Sequence, residues 1–157
     1  MKSTIDKLKE RLEVNPDDLD AHTKLANIYF FREMYDDAIL EVKKILALSP
    51  HDPTAHVNLG VACASKGMID EAIEAFSRAI EIKPDNINAC HHLANAYLSK
   101  EMVDEAVKGF NKILEMDPRN RAAYDRLGFI YLDTERYEDA IRAAKKMMEL
   151  YPGDAVI

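Results

Sequence analysis

The chain has 157 residues, 31% of them charged, with 28 acidic against 21 basic side chains and a net charge of −7. That negative excess argues against duplex DNA or an anionic membrane surface as the main partner, because both are polyanions. No apolar run approaches the roughly 20 residues needed to cross a bilayer, and residues 1–10 alternate charge with leucine where a secretion signal would carry an apolar core.

Residues 3–16 place Ile5, Leu8, Leu12 and Val14 at the spacing of one helical face, the spacing shown again by Ile73, Phe76, Ile80 and Ile82. From there the chain repeats itself. Pro16, Pro50, Pro84, Pro118 and Pro152 stand 34 residues apart, an interval that signals stacked repeats. Aligning the prolines aligns Leu25, Leu59, Leu93 and Leu127, a small-residue column of Ala26, Gly60, Ala94 and Gly128, and a column of Tyr29, Cys63, Tyr97 and Tyr131. Ala38, Ala72, Ala106 and Ala140 form another column further along each repeat. Asp52–Pro53 reads as an N-cap and first helical residue. Residues 69–82 show a plain amphipathic stripe, and Asp36, Asp70, Asp104 and Glu138 stand where a helix dipole presents its positive end. Each proline then stops the helix before it, since it lacks an N–H and restricts its predecessor.

Together these columns resemble the tetratricopeptide repeat (TPR). The resemblance implies an all-α fold, a right-handed superhelix (α-solenoid) of nine antiparallel-paired helices. It implies a single domain over residues 1–157, made of an N-terminal half-repeat (3–18) and four full helix-turn-helix repeats at 19–52, 53–86, 87–120 and 121–154. Small residues let the paired helices approach, as where Gly60 is expected to face Ala72. The family's turn glycine is kept only at Gly67; Glu33, Glu101 and Glu135 replace it, each costing on the order of 1 kcal/mol if the turn needs a positive φ. The half-repeat lacks its first helix, and the chain stops three residues into what would be a fifth repeat. Apolar surface is therefore expected at both ends, including that around Ile141, Met147, Met148 and Leu150, which fits either a segment of a longer protein or contacts with other chains.

Cys63 and Cys90 have no metal-ligand spacing and read as small core hydrophobes in a reducing compartment, with the cytoplasm as the default location. His22 and His56 fall in a slot where the family buries a large aromatic, so ring packing is expected of them. His91 and His92 are adjacent on a helix, about 100° apart, and cannot share a metal as an i, i+4 pair would. Carboxylates decorate mixed-sign rows such as Glu71, Glu74 and Arg78, without an apolar setting that would tune them for acid–base work. No metal, no cofactor and no catalytic activity are expected.

By the same resemblance the first helices line a concave wall that binds extended peptides. Its candidate contacts are Thr23, Lys24, Asn27, Phe30, Asn58, Val61, Asn88, His91, His92, Asn95, Arg126 and Phe129. Asparagine suits such a wall because its amide both donates and accepts without a charge. A non-catalytic scaffold or adaptor for a protein or peptide ligand is the reading, with no nucleic acid and no membrane insertion. Two alternatives stand beside it. One is self-assembly into a homo-oligomer through the terminal helices. The other is a co-chaperone-like carboxylate clamp, for which Thr23, Asn27, Asn58, Asn88 and His92 hold the matching places but only the asparagines agree.

Overall fold

The computed structural model describes residues 2–152. Among these the regular structure is wholly helical, in nine helices: α1 (Thr4–Val14), α2 (Leu19–Phe31), α3 (Tyr35–Leu48), α4 (Pro53–Ser65), α5 (Ile69–Ile82), α6 (Ile87–Ser99), α7 (Val103–Met116), α8 (Arg121–Asp133) and α9 (Tyr137–Leu150). One helix is thus followed by four pairs, and both members of each pair start 34 residues after their predecessors. Each of the five prolines lies two residues beyond the end of α1, α3, α5, α7 or α9, where it stops the helix.

Capping explains the starts. Ser3 and Asp6 form a capping box on α1. Asp18 caps α2, Asp52 caps α4 by accepting from the Thr54 and Ala55 N–H groups at 2.8 and 3.2 Å, and Asn120 caps α8. The second helices of the pairs begin at Met34, Met68, Met102 and Arg136 without any side-chain cap. Their first turns instead carry Asp36, Asp70, Asp104 and Glu138, which meet the positive end of the dipole.

The turn inside each pair has one geometry. Met34 N–H reaches back to the Tyr29 carbonyl at 2.9 Å and Glu33 N–H to Phe30 at 3.0 Å, the two bonds of a Schellman end. That end needs a left-handed residue, and Glu33, Glu101 and Glu135 supply it at φ 58°, 59° and 58°, beside Gly67 at 78°. The glutamates therefore carry the strain expected of them. Replacing any one by glycine should raise stability by about 1 kcal/mol, read as a higher urea midpoint at unchanged slope. A midpoint that does not move would show the turn to be unstrained.

The chain divides into two compact units, Met1–Asn86 and Ile87–Ile157. In the first, the α1 stripe docks as expected: Leu8 is buried among Ala21, Leu25, Tyr29 and Ala38, with Ile5 and Leu12 packed alongside. Val14, at the helix end, falls off the stripe and is 89% exposed. A second cluster of Ala26, Val42, Ile45 and Ala55, flanked by Phe30, Leu46 and Leu59, joins α2 and α3 to α4. Gly60 does not have Ala72 as its nearest neighbour. A Cβ there would sit 2.5 Å from the Phe76 ring, which is buried. In the second unit the corresponding close approach is Gly109 to the Ala94 methyl, with Phe110 and Ile113 fully buried.

His22 departs from simple ring packing. It is buried, with Nδ1 2.6 Å from a carboxylate oxygen of Glu41 and Nε2 2.8 Å from the Pro16 carbonyl. The reach to the preceding proline recurs in the same slot: His56 Nε2 lies 3.0 Å from the Pro50 carbonyl, and Tyr124 donates to the Pro118 carbonyl at 3.4 Å. In three of the four full repeats the slot thus holds a ring with a polar tip, one edge packed and the other meeting an orphan carbonyl past the helix end, while Cys90 takes the place in the third.

Candidate functional site

In the first unit, α2 carries Thr23, Lys24, Asn27 and Phe30, and α4 carries Asn58 and Val61. Thr23 and Lys24 are exposed but engaged, the hydroxyl with the Leu19 carbonyl at 2.8 Å and the ammonium with Asp20 at 2.8 Å. Asp20 is shared with Arg11 at 3.0 Å, and these two cations, Lys24 first, hold its carboxyl below the ordinary aspartate value. Phe30 packs against both core clusters of the unit, so it serves the core as well as the surface. Asn27 is exposed and lines a hollow with Ile5, Ile28 and Phe31, while Asn58 and Val61 are half-buried. The side-chain amides of Asn27 and Asn58 make no hydrogen bond within the described residues.

In the second unit, Asn88, His91, His92 and Asn95 lie on α6, and Arg126 and Phe129 on α8. The structure gathers part of this set. The Asn95 amide donates to the His91 carbonyl and also meets His91 Nδ1, both at 2.9 Å, as i, i+4 neighbours can. The His91 ring stands edge-on to Phe110, with centroids 5.5 Å apart, and at 6.5 Å from His92. Asn88 stands apart at the exposed start of α6.

Both histidines are held below the ordinary imidazole value of 6.5, His92 by burial and His91 by burial first, then by the charges of His92 and Arg126. As pH falls the unfolded chain takes up these protons before the folded one. The stability the two residues contribute is therefore present above about pH 6.5 and lost as pH drops through their folded-state values. Thermal melts should show a lower midpoint at about pH 5.5 than at about pH 7.5, and a His91→Asn/His92→Asn variant should narrow the gap. An equal gap in the variant would place the acid sensitivity elsewhere.

Phe129, 71% exposed, lines an apolar pocket of about 410 Å³ between α8 and α9 together with Gly128, Leu132, Ala140, Ile141, Ala144 and Met147. Sequence reasoning marked Ile141 and Met147 as open but missed the pocket itself. Its signal is Ala144, which stands in the repeat column of Val42, Phe76 and Phe110.

The carboxyls that stand out, Asp6, Asp18, Asp20 and Asp139, are all lowered by hydrogen bonds or cations, the opposite of what a general acid needs. Burial pushes both thiols, Cys63 and Cys90, upward, away from nucleophilic reactivity. Among the described residues no three His, Cys, Asp or Glu side chains are placed to share a metal ion, and no helix is long and apolar enough to cross a membrane.

A family model described as the TPR domain of cytochrome c-type biogenesis protein H matches residues 40–156. The chain belongs to the TPR family. No curated protein matches it in sequence. Among solved structures, a crystal structure of MamA superposes with a TM-score of 0.88 at 26% identity, covering 96% of this chain and 88% of that one. YrrB, described as a TPR protein with an unusual peptide-binding site, superposes at 0.80 with 23% identity over 96% of this chain and 77% of its own. The first TPR of Spaghetti (RPAP3), bound to the HSP90 peptide SRMEEVD, does so at 0.70 with 22% identity over 74% and 93%. The last two likenesses show the fold alone. The all-α TPR class read from the sequence therefore stands, with its helix pairs.

Proposed function

We propose that this TPR chain is a non-catalytic protein-interaction scaffold whose first-helix faces hold an extended peptide or a helix of a partner protein. The observation that carries the reading is the pair of amides at Asn27 and Asn58, which lie on exposed or half-exposed helix faces with no internal hydrogen bond among the described residues. Each offers a donor and an acceptor suited to a peptide backbone. Val61 supplies apolar contact beside Asn58, and in the second unit His92, Asn95 and Arg126 form the matching polar face. The fold is one on which YrrB has a peptide-binding site and RPAP3 holds a peptide.

Two details weigh on the alternatives. His92 is held below 6.5 and so stays uncharged at neutral pH, which argues against a carboxylate clamp. Both cysteines are free and buried, which suits a reducing compartment such as the cytoplasm.

Selection of peptides from a random library on the immobilised chain, followed by calorimetric titration, tests the reading. Asn27→Ala/Asn58→Ala should weaken a selected peptide by about tenfold, the equivalent of two modest hydrogen bonds. Its unfolding free energy should stay within about 0.5 kcal/mol of the parent. A library that yields no enriched sequence, or equal affinity in the Asn27→Ala/Asn58→Ala variant, would overturn it.

A further inference from the structure

One repeat column runs Val42, Phe76, Phe110, Ala144. Phe76 fills the space in front of Gly60, and Phe110 is fully buried. At Ala144 that bulk is missing. Gly128, the counterpart of Gly60, has no atom within 4 Å of where a Cβ would stand, and the pocket of about 410 Å³ opens there.

The first unit shows what covers such a groove. The counterparts of Gly128, Leu132, Ala144, Met147 and Met148 are Ala26, Phe30, Val42, Ile45 and Leu46, and these pack against Ala55 and Leu59 of α4. The covering element is therefore a helix presenting a small residue and a large aliphatic one at i and i+4. Its C-terminal end brings a cation as well: Lys66, at the C-cap of α4, pairs with Asp36 in the first turn of α3. In the second unit the acid in the first turn of α7, Asp104, instead has its cation from Arg136, the N-cap of α9, at 4.0 Å. The counterpart of these acids on α9 is Glu138, exposed and without an ion pair among the described residues. Apolar groove and acidic end thus repeat the two halves of a site that α4 fills elsewhere in the molecule.

We propose that the α8–α9 groove docks an amphipathic helix of a partner protein, with a small and a bulky apolar residue four positions apart over Gly128 and Ala144 and a basic C-terminal end against Glu138. This surface is separate from the amide-bearing faces proposed above, and its test stands apart from theirs. The partner's bulky position accepts an aromatic ring, because Gly128 and Ala144 leave more room than Ala26 and Val42.

The probe is a stapled helical peptide with the sequence of residues 53–66, titrated into the isotope-labelled full chain. Amide shifts should centre on Gly128, Ala140 and Ala144, and changing the peptide's Leu59 to Phe should tighten binding. Ala144→Phe, which restores the ring of the other repeats, should weaken the peptide at least about tenfold while the melting temperature holds. Ile141→Asp, at an exposed position, should do the same without relying on the new ring. A peptide with Lys66→Glu should lose about three- to fivefold, as an exposed ion pair would, and Glu138→Lys in the protein should recover it. Absence of binding at about millimolar peptide, shifts centred elsewhere, or no effect of either protein variant would overturn the proposal. So would a concentration-dependent dimer of the free chain abolished by Ala144→Phe, which assigns the groove to a second copy. Nuclear Overhauser contacts from residues 153–157 to Ala144 in the free chain would assign it to the chain's own tail, with the same consequence.

Discussion

Glu41→Ala is expected to lower the unfolding free energy by about 3 kcal/mol, the range found when one partner of a buried polar pair is removed. The His22 ring and the Glu41 carboxylate are 3% and 7% exposed, and their contact is 2.6 Å. The other ring nitrogen lies 2.8 Å from the Pro16 carbonyl, so both nitrogens are held by oxygen partners. Deleting the carboxylate strands one buried ring nitrogen and leaves Lys44, 3.0 Å from the other carboxylate oxygen, without its partner. The other repeats suggest the remedy. Where Glu41 has Ala75, Gly109 and Ala143 as counterparts, the ring slot holds His56, Cys90 and Tyr124. His22→Tyr/Glu41→Ala should therefore recover most of the loss, since Tyr124 shows that a phenol reaches the proline carbonyl alone. Urea unfolding of the parent, both single variants and the double variant measures the coupling. A Glu41→Ala cost below about 0.5 kcal/mol, the range of an ordinary surface change, would mean that the pair is not formed.

Gly60→Leu is expected to cost about 3 kcal/mol by overpacking. A Cβ at that position already falls 2.5 Å from a ring carbon of Phe76, and that ring, 1% exposed, has nowhere to retreat. Gly128→Ala should have the opposite sign. It meets nothing within 4 Å, so the helix gains the roughly 1 kcal/mol by which alanine exceeds glycine in a helix interior. Thermal or urea unfolding of the two variants gives the signs directly. Destabilisation by both would show that α8 and α9 close over Gly128, and stabilisation by both that α4 and α5 stand further apart than the structure places them.

The helix pairs were legible because proline, leucine, alanine and small-residue columns recur together, and one column alone would not have placed them. The glutamate turns were legible too, because a family glycine position names the φ that its replacement must adopt. Partner choice across a helix pair was not. Gly60 was matched to Ala72 by column, yet side chains on a helix lean toward its N-terminus, so the Phe76 ring reaches back over the turn where Ala72 sits. The acid beside His22 lies 19 residues away. Its only trace in the sequence is a single glutamate in a column otherwise filled by Ala75, Gly109 and Ala143. At the candidate site, the sequence did not show that the Asn95 amide donates to the carbonyl of His91, its helical neighbour four positions back. The amides of Asn27 and Asn58 make no such bond among the described residues, which is why they remain the better candidates.

The central claim is that the first-helix amides contact a partner's backbone. Side-chain amide signals of asparagine report this directly in a heteronuclear spectrum of the full chain, recorded with and without a library-selected peptide. The account predicts that the Asn27 and Asn58 side-chain signals shift on saturation while those of Asn15, on the loop after α1, stay in place. Saturated binding that leaves the Asn27 and Asn58 signals unmoved would contradict it.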